Sequence, residues 1–207
     1  LIANINLGLY FMNILVFAAG MLVATFKWRL ILPVFDFMVL LRSNLIASYY
    51  ALLVPGQVGA EGVKAFRLIN NSDQIAKVSS SVLIDKITGL ISLMILGNLG
   101  LLFSEYAQKL HLLSLFFSVG IGFALFVIWT PSLFFQIAQA VLAFGLWSKT
   151  RMVMKIREIL QECEISFKQF NNSITNVLVI IAVGVVYQFL IIFSSYLLAL
   201  SLNIHLD

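Results

Sequence analysis

The run Val177–Leu200 contains no acidic or basic residue, and it exceeds the ~20 apolar residues needed to cross a bilayer core of ~30 Å. Leu7–Phe26 is a second such run, interrupted only by Asn13 and Thr25. In hydrocarbon a helix satisfies its own backbone polar groups, and a break is tolerated only where protein or a wet cavity satisfies the freed ones. Composition agrees: 61% of residues are apolar and 11% charged, against roughly 45–50% and about 25% in a soluble domain. Mean hydropathy is +1.03.

The expected fold is all-α, a polytopic integral membrane protein with about four spanning helices. One re-entrant broken helix and a cytoplasmic pair of surface helices complete it. Residues 1–207 make a single membrane domain. The chain opens on Leu1 beside a spanning segment, so it reads as a piece of a longer protein. Cys163 is the only cysteine, which excludes a disulfide framework and a cysteine-rich metal site. No metal and no cofactor are expected.

In chain order, Lys27-Trp28-Arg29 closes the first span as two bases around an aromatic, the pattern of an interface anchor. Phe35–Val54 carries Asp36 and Arg42, which makes it a poor free-standing span. A segment that enters the membrane, breaks and returns fits it better, giving a re-entrant element over about residues 35–67. A helix is expected over Asp73–Phe103, with Asn70-Asn71-Ser72-Asp73 supplying its N-cap and Ile87–Phe103 spanning. Leu112–Thr130 is the next span, stopped by Pro131. Leu133–Trp147 suits an in-plane helix. In Arg151–Phe170, intervals of three and four put Met152, Ile156, Ile159, Leu160, Cys163, Phe167 and Phe170 on one face. That face lies either on the membrane surface or against the domain's own cytoplasmic side.

This layout puts Lys27, Arg29, Arg42, Lys64, Arg67, Lys77, Lys86, Lys149, Arg151, Lys155, Arg157 and Lys168 on one side and leaves only Lys109 on the other. By the positive-inside rule the basic side is cytoplasmic, in a multi-pass plasma membrane protein. The positive balance reflects orientation and anionic headgroups, not nucleic acid.

The chemistry concentrates in Pro55-Gly56-Gln57-Val58-Gly59-Ala60-Glu61-Gly62-Val63-Lys64-Ala65-Phe66-Arg67. Pro55, Gly56 and Gly59 break the backbone, and ionisable residues at such a break mark a functional site. A plain kink between two packed helices is the blander reading. Glu61, Lys64 and Arg67 stand at i, i+3 and i+6. A helix restarting near Ala60 offers N–H groups and a positive dipole end to an anion. Glu61 caps that end internally, or Lys64 and Arg67 receive a phosphate. Asp85-Lys86, at the head of a span, either faces the interface or pairs with Lys64 or Arg67 across a cavity. No nucleophile–base pair, HExxH, phosphate-binding loop or DxD motif is present, so the residues do not describe an enzyme.

The pattern Pro55-x-x-x-Gly59-Ala60-Glu61-x-x-Lys64-Ala65-x-Arg67-Leu68, followed by Val82-Leu83-Ile84-Asp85-Lys86-Ile87-x-Gly89-Leu90, resembles the transmembrane domain of the lysylphosphatidylglycerol synthase family. That family includes the flippase half of bacterial aminoacyl-phosphatidylglycerol proteins. It also includes stand-alone bacterial and archaeal proteins linked to polyprenyl-lipid glycosylation. Its usual pattern reads P-x-x-x-G-G-D/E-x-x-R-A-x-x-L, then V-L-x-D/E-R-x-x-G-L. Here Ala60 replaces the second glycine, and lysine stands for arginine at 64 and 86, substituting a point charge for a bidentate fork. The resemblance implies further helices and a Gly-rich element beyond this C-terminus.

It also implies translocation of a phosphate-bearing lipid, such as aminoacyl-phosphatidylglycerol or a polyprenyl-phosphate-linked sugar. Glu61, Lys64, Arg67, Asp85 and Lys86 would line the headgroup path. The implied partners are that lipid, the bilayer, and either a second copy of the chain or a lipid-modifying enzyme. Two alternatives stand beside this reading. One is a membrane subunit or anchor of a lipid-modifying transferase, a phosphatidylglycerol lysyltransferase or a glycosyltransferase-associated protein. The other is an ion-coupled small-solute transporter in which Glu61 and Asp85 carry protons.

Overall fold

The computed structural model describes residues 6–53, 57–69, 72–104, 109–144, 151–171, 173–202 and 204. Within them the chain forms helices α1 (Leu7–Ile31), α2 (Phe37–Leu53), α3 (Gln57–Phe66), α4 (Ser72–Leu102), α5 (His111–Trp129), α6 (Pro131–Phe144), α7 (Arg151–Asn171) and α8 (Ile174–Ser201), with no strand among the described residues. Local chemistry sets several of the ends. The Asn6 side chain accepts from the N–H groups of Gly8 and Leu9, at 3.1 and 3.3 Å, and starts α1. Ser173 accepts from the Asn176 N–H at the head of α8. Pro131 stops α5 and opens α6, at a position where its missing N–H costs nothing.

Among the described residues four helices are long and apolar enough to cross a membrane: Leu7–Ile31, Lys77–Leu102, His111–Trp129 and Ile174–Ser201. Their outward faces are apolar. On α5, Leu112, Phe116, Val119, Phe123 and Phe126 are all exposed at helical spacing. Lipid is the solvent such a surface requires, since in water it would be a large uncovered patch.

The expected spans therefore stand, with two boundaries corrected. In α4 the apolar segment begins at Lys77 rather than at Ile87, so Asp85 and Lys86 lie inside it rather than at its head. The first helix does not close at Phe26; it continues through Lys27-Trp28-Arg29 to Ile31. Trp28 is fully buried and Lys27 is 3% exposed, so these two are interior residues rather than interface anchors.

Helix α4 is the axis. It packs against α1, α3, α5, α7 and α8. Its Ile91 forms a core with Ala124 and Ile128 of α5 and Val177 and Ile181 of α8. Small residues bring α4 and α8 close: a Cβ on Gly184 would collide with Ser92 Oγ, and the Ser92 hydroxyl donates to the Ile181 carbonyl at 3.1 Å. Close backbones joined by a hydroxyl bond are the usual way helices adhere in lipid.

Helix α7 uses its apolar stripe on the protein itself. Cys163 and Phe167 are buried with Ile84 of α4 and Phe135 of α6, and Leu160 and Phe170 pack against them. Of the two readings of that stripe, packing on the domain describes these residues. The side chains of Met152, Ile156 and Ile159 lie outside the description.

Helices α2 and α3 pack on each other. Pro55 and Gly56, the expected centre of the break, lie outside the described residues, as do Asn70 and Asn71. The helix restarts at Gln57, three residues before the expected Ala60, so Gly59 sits in helical backbone. Leu40, near the start of α2, and Leu68, just past α3, share one buried cluster with Trp28, Leu32 and Val78. The pair thus begins and ends at the level where α1 finishes and α4 begins.

Candidate functional site

A cavity of about 560 Å³ opens between α1, α2, α3, α4 and α8. Five charged side chains line it: Lys27 from α1, Glu61 and Lys64 from α3, and Asp85 and Lys86 from α4. Asn44 and Ser48 of α2 and Tyr187 and Gln188 of α8 add polar groups to an otherwise apolar wall. Helical geometry puts Glu61 and Lys64 on one face of α3. Asp85 and Lys86 lie roughly 12 Å along α4 from Lys77 at 1.5 Å per residue, well inside that apolar segment.

Asp85 holds two lysines unequally. Lys27 Nζ is 2.9 Å from Oδ1 and donates to the Asp85 backbone carbonyl at 3.0 Å. Lys64 Nζ is 3.7 Å from Oδ2 and lies 3.8 Å from the centre of the Trp28 ring. A cation over an indole face is stabilised by the ring quadrupole without a hydrogen bond. Trp28 is fixed for this role by its Nε1–H, which donates to Ser81 Oγ at 3.2 Å. The second pair joins Lys86 Nζ to Glu61 Oε1 at 2.7 Å. Glu61 Oε2 is buried and has no hydrogen-bond partner among the described residues.

Lys64 is the electrostatically costly member. Burial holds its ammonium below the ordinary lysine range, with Asp85 and Glu61 acting in the opposite direction. A buried cation with loose partners gains most from an incoming anion. Among the described lining residues three lysines face two carboxylates, one positive charge in excess when all are ionised.

Two glycines lie beside Lys27. A Cβ on Gly89 would sit 3.7 Å from Lys27 Nζ and 3.9 Å from Gln188 Nε2, and one on Gly184 would sit 3.5 Å from Lys27 Cε. Gln188 Nε2 donates to the Gly89 carbonyl at 3.4 Å. Asn44 is anchored from behind, donating to Thr25 Oγ1 at 2.9 Å.

Of the residues singled out from sequence, the fold brings Glu61, Lys64, Asp85 and Lys86 to one cavity and leaves Arg67 out of it. Arg67 follows the last residue of α3, is exposed, and lines a separate groove on the other side of that helix. Glu61, the fifth residue of α3, pairs with Lys86 and does not cap the helix start. Lys86 is the wettest of the four, its side chain 46% exposed. Lys27 is the member that sequence reasoning missed. The available signal was the apolar continuation Leu30-Ile31-Leu32 beyond it, which marks Lys27 as internal to the helix.

Among the described residues no group of three or more acidic, histidine or cysteine side chains is placed to hold a metal. No curated protein and no solved structure matches the chain. A family model does match, over residues 1–207: the lysylphosphatidylglycerol synthase TM region. A membrane frame of apolar helices around a lysine-rich cavity, matched along its whole length, belongs to the lysylphosphatidylglycerol synthase transmembrane family.

Proposed function

We propose that this protein moves a phosphate-bearing lipid across the plasma membrane, with the lipid headgroup passing through the cavity among Lys27, Glu61, Lys64, Asp85 and Lys86. Family membership supports a membrane role in lipid modification or translocation. The observation that carries the finer reading is Lys64: a buried ammonium, only loosely paired, facing an open cavity. A phosphate monoanion or diester there supplies the missing charge-assisted bonds. Lys27 is already satisfied by the carboxylate and carbonyl of Asp85, so it holds Asp85 in place while Lys64 exchanges partners. The substrate class is an aminoacyl-phosphatidylglycerol or a polyprenyl-phosphate-linked sugar.

Re-entry of α2 and α3 belongs to the same reading. Leu40 and Leu68 share a cluster with the end of α1 and the start of α4, which supports a segment that enters and leaves by one face. The basic residues then gather on the cytoplasmic side. Tails stay in lipid while the headgroup follows the polar lining.

The test is headgroup accessibility in liposomes carrying the full-length protein. Labelled phosphatidylglycerol, lysyl-phosphatidylglycerol and a short polyprenyl-phosphate sugar are compared for wild type, Glu61→Gln and Lys64→Met. Movement of one lipid class, lost in both folded variants, is the expected result. Wild-type movement no faster than in protein-free liposomes sinks translocation and leaves the membrane subunit of a transferase as the better account.

A further inference from the structure

Two bases at the C-terminal end of α3, Lys64 within it and Arg67 just past it, line different spaces. Lys64 turns to the polar cavity, whereas Arg67 ends a groove of about 470 Å³ formed with α2 and lined by Ile46, Tyr50, Gly59, Gly62, Val63 and Phe66. The α2–α3 pair is thus a wall with a charged cavity on one side and an apolar groove on the other. The groove has a direction. Leu68 packs with Trp28 and Leu32 at the end of α1 and with Val78 at the start of α4, so neighbouring Arg67 lies at the level of the helix ends. Gly59, two turns earlier in α3, and Tyr50, near the end of α2, lie at its far end, away from that level. Depth comes from glycine: a Cβ on Gly62 would meet nothing within 4 Å.

We propose that this groove is a binding site for one anionic membrane phospholipid, its phosphate on Arg67 and one acyl chain laid against Ile46, Val63 and Phe66 toward Gly59. Charge and shape both select that occupant. An exposed guanidinium takes a phosphate in bidentate fashion, and a mostly apolar groove with Arg67 as the one cation among its described lining residues matches a lipid with one charged head. A neutral or zwitterionic lipid leaves Arg67 without net charge compensation. A soluble anion leaves the apolar walls uncovered. The volume falls within the roughly 300–1,000 Å³ of ligand sites in general. The inference rests on the re-entrant placement of α2 and α3 and is independent of translocation through the cavity.

The test is photo-crosslinking in nanodiscs of the full-length protein, with phosphatidylglycerol or phosphatidylcholine bearing a diazirine in one acyl chain and adducts mapped by mass spectrometry. Phosphatidylglycerol should concentrate adducts on Ile46, Val63 and Phe66, about fivefold above phosphatidylcholine, which carries the same phosphate but no net charge; that is the preference one base near the membrane surface gives an anionic lipid. Arg67→Gln should remove that preference. Gly62→Leu, whose Cβ enters open space and which suits a helix better than glycine, should remove the adducts themselves by occupying the groove. Lys64→Met should leave them in place, which separates this site from the cavity. Equal labelling by the two lipids in wild type overturns the proposal, as does phosphatidylglycerol labelling of Gly62→Leu at the wild-type level.

Discussion

Lys27 and Lys86 are both lysines paired with a carboxylate at about hydrogen-bond distance, and their surroundings make them unequal. Lys27 is 3% exposed and holds both the side chain and the carbonyl of Asp85. Lys86 is 46% exposed on its pair with Glu61. Removing one partner of a buried pair strands the other charge, whereas an exposed pair contributes little. Lys27→Met is expected to destabilise the folded protein by about 3 kcal/mol, and Lys86→Met by about 1 kcal/mol or less, both read from thermal unfolding in detergent. Equal effects would contradict the assignment of Lys27 as the structural cation. This distinction was hidden in the sequence. Lys27-Trp28-Arg29 carries the local pattern of an interface anchor, and nothing nearby shows that Asp85, far along the chain, neutralises Lys27 inside the protein. Arg67 misleads in the opposite direction. Spacing of three from Lys64 suggests a shared face, but each such step rotates about 60° away on a helix of 3.6 residues per turn, and α3 has already ended at Phe66.

Whole helices were far more legible. Lipid selects long runs free of charge, so the spans at Leu7, Leu112 and Val177 follow directly from hydropathy, and their observed ends differ by a few residues. What hydropathy does not reveal is which faces meet, because lipid-facing and protein-facing positions are both apolar. The α4–α8 seam is an example: its close approach depends on Gly184 opposite Ser92, a pairing with no local signature. Gly184→Ala should therefore cost about 1–3 kcal/mol by overpacking. Adding Ser92→Ala should recover part of it, since the colliding hydroxyl is then absent. A double-variant thermal unfolding cycle reads this coupling; strictly additive losses would mean the two helices do not meet at these residues. The amphipathic stripe of α7 was visible, yet its alternatives were decided only by Ile84 and Phe135, which come from other parts of the chain.

At the scale of the molecule, the proposed dip of α2 and α3 into the bilayer predicts on which side each connection lies. In a Cys163→Ala background, single cysteines at Val34, before α2, and at Lys77, near the start of α4, should react with a membrane-impermeant maleimide from one side. One at Leu110 should react from the other. Both Val34 and Lys77 are exposed at the polar ends of their helices. Labelling of Val34 and Lys77 from opposite sides would make α2 a crossing helix and reverse the orientation of everything after it.

Translocation through the cavity, as proposed, requires a lipid phosphate to sit on Lys64. Solid-state NMR with ¹⁵N-labelled lysine and the ³¹P of a bound lipid measures that contact directly. Phosphatidylglycerol, lysyl-phosphatidylglycerol and a polyprenyl-phosphate sugar are each supplied in turn to the full-length protein. Lysine labelling is blind to a phosphate held by Arg67, so the two sites do not interfere. For one of these lipids we expect a ³¹P–¹⁵N coupling that disappears in Lys64→Met and persists in Arg67→Gln. A lipid-saturated protein whose couplings are the same with and without Lys64 would contradict the account.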